Sequence, residues 1–228
     1  MSEWWTYRLD DFLLFAPRAY WRLFEAQNAA LWPLQIVTSV AGLTLIGLVL
    51  CRPGRAPLWM GLALAPLWAL VGWSFLLDRY AAINWAAAYA APAFLVQALL
   101  MLAVAMLPRS EAFGRLDAIG WAGLALALIG MLLYPGLAVM AGRPLTSAEV
   151  FGIVPDPTVL VTAGLLLVAG GRWLPALLPI PLLWCLFSGL TLLAMGEIEA
   201  WLLLPGAALI CVLGAARLFR PLARPRER

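Results

Sequence analysis

Residues 86–107 read AAAYAAPAFLVQALLMLAVAML, a run with no charge in which Tyr89 and Gln97 are the only strongly hydrogen-bonding side chains. As a helix this run reaches about 33 Å, enough to cross a hydrocarbon core of about 30 Å. Working outward, six further stretches share its character, at residues 34–50, 58–77, 118–140, 158–171, 174–195 and 200–216. With 64% hydrophobic and 12% charged residues in a chain of 228, there is room for one membrane domain and no sizeable soluble one. The pattern predicts an all-α, polytopic membrane helix bundle of about seven transmembrane helices. The stretch 158–171 is the shortest, and only the turn Gly170-Gly171-Arg172 separates it from the next, so this pair reads alternatively as a re-entrant hairpin.

The chain divides into an N-terminal segment 1–31, a transmembrane domain 32–217 and a basic tail 218–228. In the first, Pro17 suits the opening position of a helix, and Tyr20, Leu23, Phe24, Gln27 and Leu31 recur at helical spacing. Arg18, Arg22, Glu25 and Asn28 fall opposite, with Arg22 and Glu25 spaced to pair. This predicts an amphipathic helix lying in the membrane interface, with Trp4, Trp5, Trp21 and Trp32 at headgroup depth. Acids and arginines interrupt its apolar runs, unlike a cleaved signal.

Several chemistries are excluded by composition. The chain has no histidine, and its basic residues are all arginine. A histidine-ligated haem or zinc, a Ser-His couple and a lysine Schiff base are therefore ruled out. Cys51, Cys185 and Cys211 lie far apart in or beside apolar segments and read as small hydrophobes. No metal site and no cofactor is expected, and the scattered arginines do not form a nucleic-acid surface.

If all seven stretches cross, the N-terminal side holds five arginines and nine acids, and the other side ten arginines and three acids. The positive-inside rule then puts the N-terminus outside and the C-terminus in the cytoplasm. The strings Pro66-Leu-Trp68 and Pro181-Leu-Leu-Trp184, each with a serine further on at Ser74 or Ser188, suggest a parallel repeat of stretches two and six, against chance similarity in a Leu- and Trp-rich background.

Polar residues that could carry chemistry gather at the outer ends. Asp78, Arg79, Tyr80 and Asn84 lie between stretches two and three, and Glu197 and Glu199 between six and seven. With Asp156, Glu149 and Arg143 they would form an acidic, aromatic mouth able to attract a cation or an amine-bearing solute. The competing reading is that Asp156 and Glu199 simply cap the helices that follow them. At depth Gln97 stands out, since an amide in hydrocarbon must face another helix or a cavity. Ser74, Ser188 and Thr191 are expected to bond their own backbone or a neighbouring helix, and Pro66, Pro92, Pro135, Pro179 and Pro181 to kink their helices.

Strings along the whole chain carry a resemblance. They include Trp4-Trp5-Thr6-Tyr7, Asp11-Phe12-Leu13-Leu14-Phe15, Pro17-Arg18, Tyr20, Arg22-Leu23-Phe24-Glu25 and Asn28. Further on come Arg79-Tyr80, Ile83-Asn84-Trp85, Glu149-Val150-Phe151-Gly152, Pro155-Asp156-Pro157-Thr158 and Ile180-Pro181-Leu182-Leu183-Trp184-Cys185. Together they resemble an uncharacterised family of bacterial multi-pass membrane proteins, a domain of unknown function. The resemblance implies a bacterial inner-membrane location and leaves activity open.

Two functions fit these residues. One is a permease or facilitator for a small solute or cation, using the candidate substrate residues Asp78, Arg79, Tyr80, Asn84, Gln97, Asp156, Glu197 and Glu199. The other is a non-catalytic scaffold that holds a partner membrane protein, a second copy or lipid through Trp4, Trp5, Arg18, Tyr20, Arg22, Glu25 and Asn28. An enzyme fits less well without histidine, and the absence of charge within the stretches argues for a facilitator over a proton-coupled pump.

Overall fold

The computed structural model describes residues 13–107 and 116–219, and all regular structure among them is helical. Trp4, Trp5 and the end of the basic tail lie outside the described residues. The helices are α1 (Pro17–Ala30), α2 (Leu34–Cys51), α3 (Ala56–Leu70), α4 (Trp85–Ala105), α5 (Ala118–Leu128), α6 (Leu137–Met140), α7 (Pro155–Ala169), α8 (Leu174–Leu177), α9 (Pro179–Met195) and α10 (Ala200–Phe219). Short turns join several of these into six continuous runs long and apolar enough to cross a membrane: Leu34–Cys51, Pro53–Ala82, Trp85–Ala105, Ala118–Met140, Leu174–Met195 and Ala200–Phe219.

The fifth predicted stretch is the exception, and it is the centre of the molecule. Every residue of α7 from Pro155 to Val168 is buried, enclosed by α2, α3, α5, α9 and α10. A helix surrounded by protein need not span the hydrocarbon or show an apolar stripe, so at 15 residues, about 22 Å, it can be short and uniformly apolar. Its polar side chains are satisfied internally: Thr158 Oγ1 donates to the Val154 carbonyl (2.6 Å) and accepts from Gly152 N (2.7 Å). The Trp68 indole donates to Thr162 Oγ1 (2.9 Å). The outer helices show the reverse pattern, with Ile36, Val37 and Val40 on α2, Val96 and Leu99 on α4, and Trp201 and Val212 on α10 all exposed. Such unbroken apolar flanks suit a lipid surround.

Close approach sets the packing of α5 on α7. A Cβ on Gly123 would stand 2.6 Å from the Gly164 carbonyl oxygen, and one on Gly164 would stand 2.7 Å from Ala127 N, so only glycines let these backbones meet. Gly170 and Gly171, at φ 61° and 99°, then turn the chain from α7 into α8 through a region disfavoured for L side chains.

Several expectations change. The helix begins at Pro155, so Asp156 sits inside its first turn and does not cap it. The stretch 174–195 divides into α8 and α9 at Leu178, because Pro179 opens α9; neither Pro179 nor Pro181 interrupts a helix interior. The string Thr146-Ser147-Ala148-Glu149 has the spacing of a capping box, which predicts a short surface helix, yet Leu145–Ser147 is a single tight turn and Ala148 is extended.

The N-terminal helix also differs from the expectation. Instead of lying free in the interface, α1 packs on the bundle with Tyr20, Trp21, Phe24 and Gln27 buried. Tyr20 meets Phe15, Phe24 and Tyr80 with ring centroids 5.0–5.6 Å apart, Phe15 meets Tyr80 at 5.9 Å, and Phe24 reaches Phe75 at 4.8 Å. The fully buried Gln27 amide donates to Ser74 Oγ (2.8 Å) and the Ile153 carbonyl (3.2 Å) and accepts from Arg79 Nε (2.6 Å). Asn28, expected to face outward, donates to the Thr146 and Ala148 carbonyls at 2.8 Å each. Arg18 and Arg22 remain exposed, and no ion pair forms between Arg22 and Glu25.

Candidate functional site

The segment between α6 and α7 runs inward from Ala148, and its residues Ser147–Glu149 and Phe151–Val154 are buried. Non-helical backbone at such depth is tolerated only when protein encloses it. The segment delivers Glu149 and Asp156 to one place beneath α1.

Asp156 is fully buried and collects donors from two helical runs. Trp184 Nε1 (2.6 Å) and Ser188 Oγ (2.8 Å) reach it from α9, and Tyr134 Oη (3.1 Å) from the run beyond α5. Trp184 and Ser188 are four apart and so share one face of α9. Tyr134 follows a π-helical stretch, Ile129–Leu133, whose wider turn shifts the register of what comes after. The Tyr20 phenol of α1 lies against Ser188 and forms the roof. Along α7, Asp156 stands about 16 Å from Leu167, whereas α10 runs about 26 Å from Arg217 to Ala200, so the carboxyl lies well inside the bundle.

Glu149 is different. Its side chain is 3% exposed, and neither carboxylate oxygen meets a donor. It lies against Asp156 closely enough to hydrogen-bond when one of the two carries a proton. Burial, and then the negative charge of Asp156, push the Glu149 carboxyl well above the ordinary carboxylate range, with Arg143 opposing. A protonated Glu149 donates to Asp156 and loses its orphaned oxygen, so the arrangement is that of two carboxyls holding one proton.

Above this pair the acids are locked. Arg143 forms a buried ion pair with Glu199, and its guanidinium lies over the Trp21 ring, 3.2 Å from the centroid. The Trp21 indole donates to Glu197 Oε1 (2.8 Å). Thus α1, the segment after α6 and the α9–α10 turn close over the carboxyl pair through one cation, one indole and two acids.

The expected site residues divide accordingly. Asp156, Glu197 and Glu199 come together, joined by Tyr20 from the residues expected to face a partner. Asp78 is exposed. Arg79 holds Gln27, and Tyr80 and Asn84 serve the fold: Asn84 accepts from Ala86 N as the cap of α4 and donates to Tyr80 Oη (3.1 Å). Gln97 lies apart, donating to the Leu177 carbonyl (3.0 Å) at the end of α8 with its own oxygen unpartnered. Ser188, expected to bond its own backbone or a neighbouring helix, does the latter, donating to Asp156 on α7. The expectation that Glu199 is merely a cap is corrected, since its side chain is committed to Arg143. Glu149 was expected only as part of the acidic mouth, and Tyr134, Trp184 and Trp21 were not expected as site residues; for Trp184 the i, i+4 spacing to Ser188 was the available signal.

Both tryptophans of the suspected repeat point to α7, Trp68 to Thr162 and Trp184 to Asp156, and both pack on Phe94, at 4.4 and 5.1 Å. At the far end, Arg217 ties three helices: it donates to Asp117 Oδ2 (2.7 Å) at the cap of α5 and, through Nε and Nη2, to the Leu167 carbonyl near the end of α7 (3.2 and 2.9 Å). Among the described residues no group of three or more acids or cysteines is arranged to hold a metal ion.

A family model for a family of unknown function, DUF6064, matches residues 17–222, and the chain belongs to that family. No curated protein and no solved structure matches it.

Proposed function

We propose that this DUF6064 member is a permease component for a small cation or amine-bearing solute, with Glu149 and Asp156 as the element that holds either cargo or a proton. The observation that carries this reading is the orphaned, buried carboxyl of Glu149 beside Asp156. A carboxylate in that position must be neutralised, and a proton and a cation are alternative ways of doing so. Competition between them is exchange. An interior without charge led to the expectation of an uncoupled facilitator; the buried pair supports the alternative of a proton-exchanging carrier.

The setting supports the same reading. Carriers place cargo where a helix starts within the bundle after irregular, protein-enclosed backbone, and α7 starts in this way just after Glu149. The arginine asymmetry favours a cytoplasmic membrane with the α1 end outward, so that α1 and the Arg143–Glu199 pair form the outer closure. A scaffold that engages a partner through its N-terminal helix draws less support, because α1 turns its apolar face onto its own bundle.

The test uses the full chain in vesicles loaded with a pH-sensitive dye. Adding monovalent cations and small amines outside should release protons through the wild type and through Asp78→Asn, and not through Glu149→Gln. Wild-type traces matching empty vesicles across the whole panel would overturn the proposal.

A further inference from the structure

Beside α1, on the side open to the surroundings, a groove of about 290 Å³ has walls of a different chemistry from the carboxyl pair. Arg18, Arg22 and Arg143 line it with Trp21, Glu25 and Ser147. Arg18 and Arg22 are four apart on α1, exposed and without an ion-pair partner among the described residues. Arg143 gives Nη2 to Glu199, and its Nε and Nη1 are closed off from solvent, so it adds positive charge to the wall. The forks open to a ligand are those of Arg18 and Arg22, facing the one carboxylate of Glu25. The indole of Trp21, fixed by Glu197 at its edge and Arg143 on its face, makes one wall rigid. The Ser147 hydroxyl already donates to the Pro144 carbonyl (2.8 Å), which leaves its oxygen lone pairs as an acceptor for a ligand hydroxyl.

We propose that this groove is a binding site for a phosphate group, held by the forks of Arg18 and Arg22 with the Arg143–Trp21 wall behind them. Arginine suits tetrahedral oxyanions because its planar fork makes paired hydrogen bonds, and two such forks side by side match a group with several equivalent oxygens. The phosphate can come from a free phosphate ester or from a phospholipid headgroup at the membrane surface, and the chemistry at the arginines is the same. The inference is independent of the transport reading, since it concerns another cavity and a charge of the opposite sign.

Thermal unfolding of the full chain distinguishes these sources. In phosphate-free detergent, inorganic phosphate and glycerol 3-phosphate are compared with chloride at equal ionic strength, and added phosphatidylglycerol is compared with added diacylglycerol, which lacks the phosphate. A rise in Tm of about 3 °C is expected in at least one arm. A rise with the soluble phosphates assigns a free ester, and a rise with phosphatidylglycerol alone assigns a headgroup. Either should vanish in the Arg18→Ala/Arg22→Ala double variant, whose exposed side chains are outside the core, and survive in part with lysine at both positions. No rise in any arm, or a rise that persists in the alanine variant, would overturn the assignment.

Discussion

Glu149 and Asp156 lie side by side, yet their surroundings assign them opposite states. Burial raises both carboxyls, but Asp156 has an indole and two hydroxyls donating to it, which oppose the shift and favour its ionised form, whereas Glu149 has no such donor and is the carboxyl that keeps the proton. The folded protein therefore holds a proton at Glu149 that the unfolded chain releases above a pH of about 4.3. Stability from this residue is complete below that value and is lost as pH rises through the elevated folded value. Thermal unfolding across that range should show the wild type losing stability with rising pH, and Glu149→Gln, a neutral isostere of the acid, showing a flatter profile with a higher Tm at alkaline pH. An unchanged slope in the variant would mean that another group carries the proton. Of this pair, Asp156 was legible in the sequence as a candidate and Glu149 only as part of the rim. Sequence position put Glu149 in a connecting loop; its burial depends on where that loop folds.

At the scale of elements, α7 shows how a length rule can mislead. Fifteen apolar residues are too few for a lipid-facing span, so the sequence left this stretch between a short helix and half of a hairpin. Enclosure by five other helices removes the requirement, because neighbouring side chains rather than lipid cover its surface. The two glycines that let α5 reach it make a test. Gly164→Ala would push a methyl group into the α5 backbone and should cost about 1–3 kcal/mol, read as a lower Tm in detergent. Gly47→Ala on α2, where nothing lies within 4 Å of the added carbon, should be neutral or slightly stabilising. Equal effects at the two positions would argue against close approach as the reason for Gly164. The π-helical stretches at Val71–Leu77 and Ile129–Leu133 were not legible at all, since a one-residue shift of hydrogen bonding leaves no mark on hydropathy. They nevertheless precede or contain the contacts made by Ser74 and Tyr134.

Across the whole molecule, charge is sorted into two clamps at opposite ends of α7. At one end Arg143 and Glu199 join the segment after α6 to α10, under α1; at the other Arg217 joins α10, α5 and the last turn of α7. Arg217→Gln should be among the most damaging single changes, with a loss on the order of 3 kcal/mol, because it removes the buried guanidinium that the Leu167 carbonyl and the Asp117 carboxylate share. Reduced thermal stability and faster proteolysis of the detergent-solubilised chain are the readouts. Retention of wild-type stability would show that the far clamp does not hold the bundle. The sequence by itself determined that the chain is helical, apolar along about seven stretches and free of histidine and lysine chemistry, since those follow from composition and from helical length; that only six of the stretches are long enough to cross hydrocarbon came from the structure. It also limited charge to the ends of the helices. Only the tertiary structure decided that some of those ends are interior: where a chain segment re-enters a bundle depends on which surfaces its neighbours leave uncovered, and hydropathy counted along one strand of sequence does not contain that information.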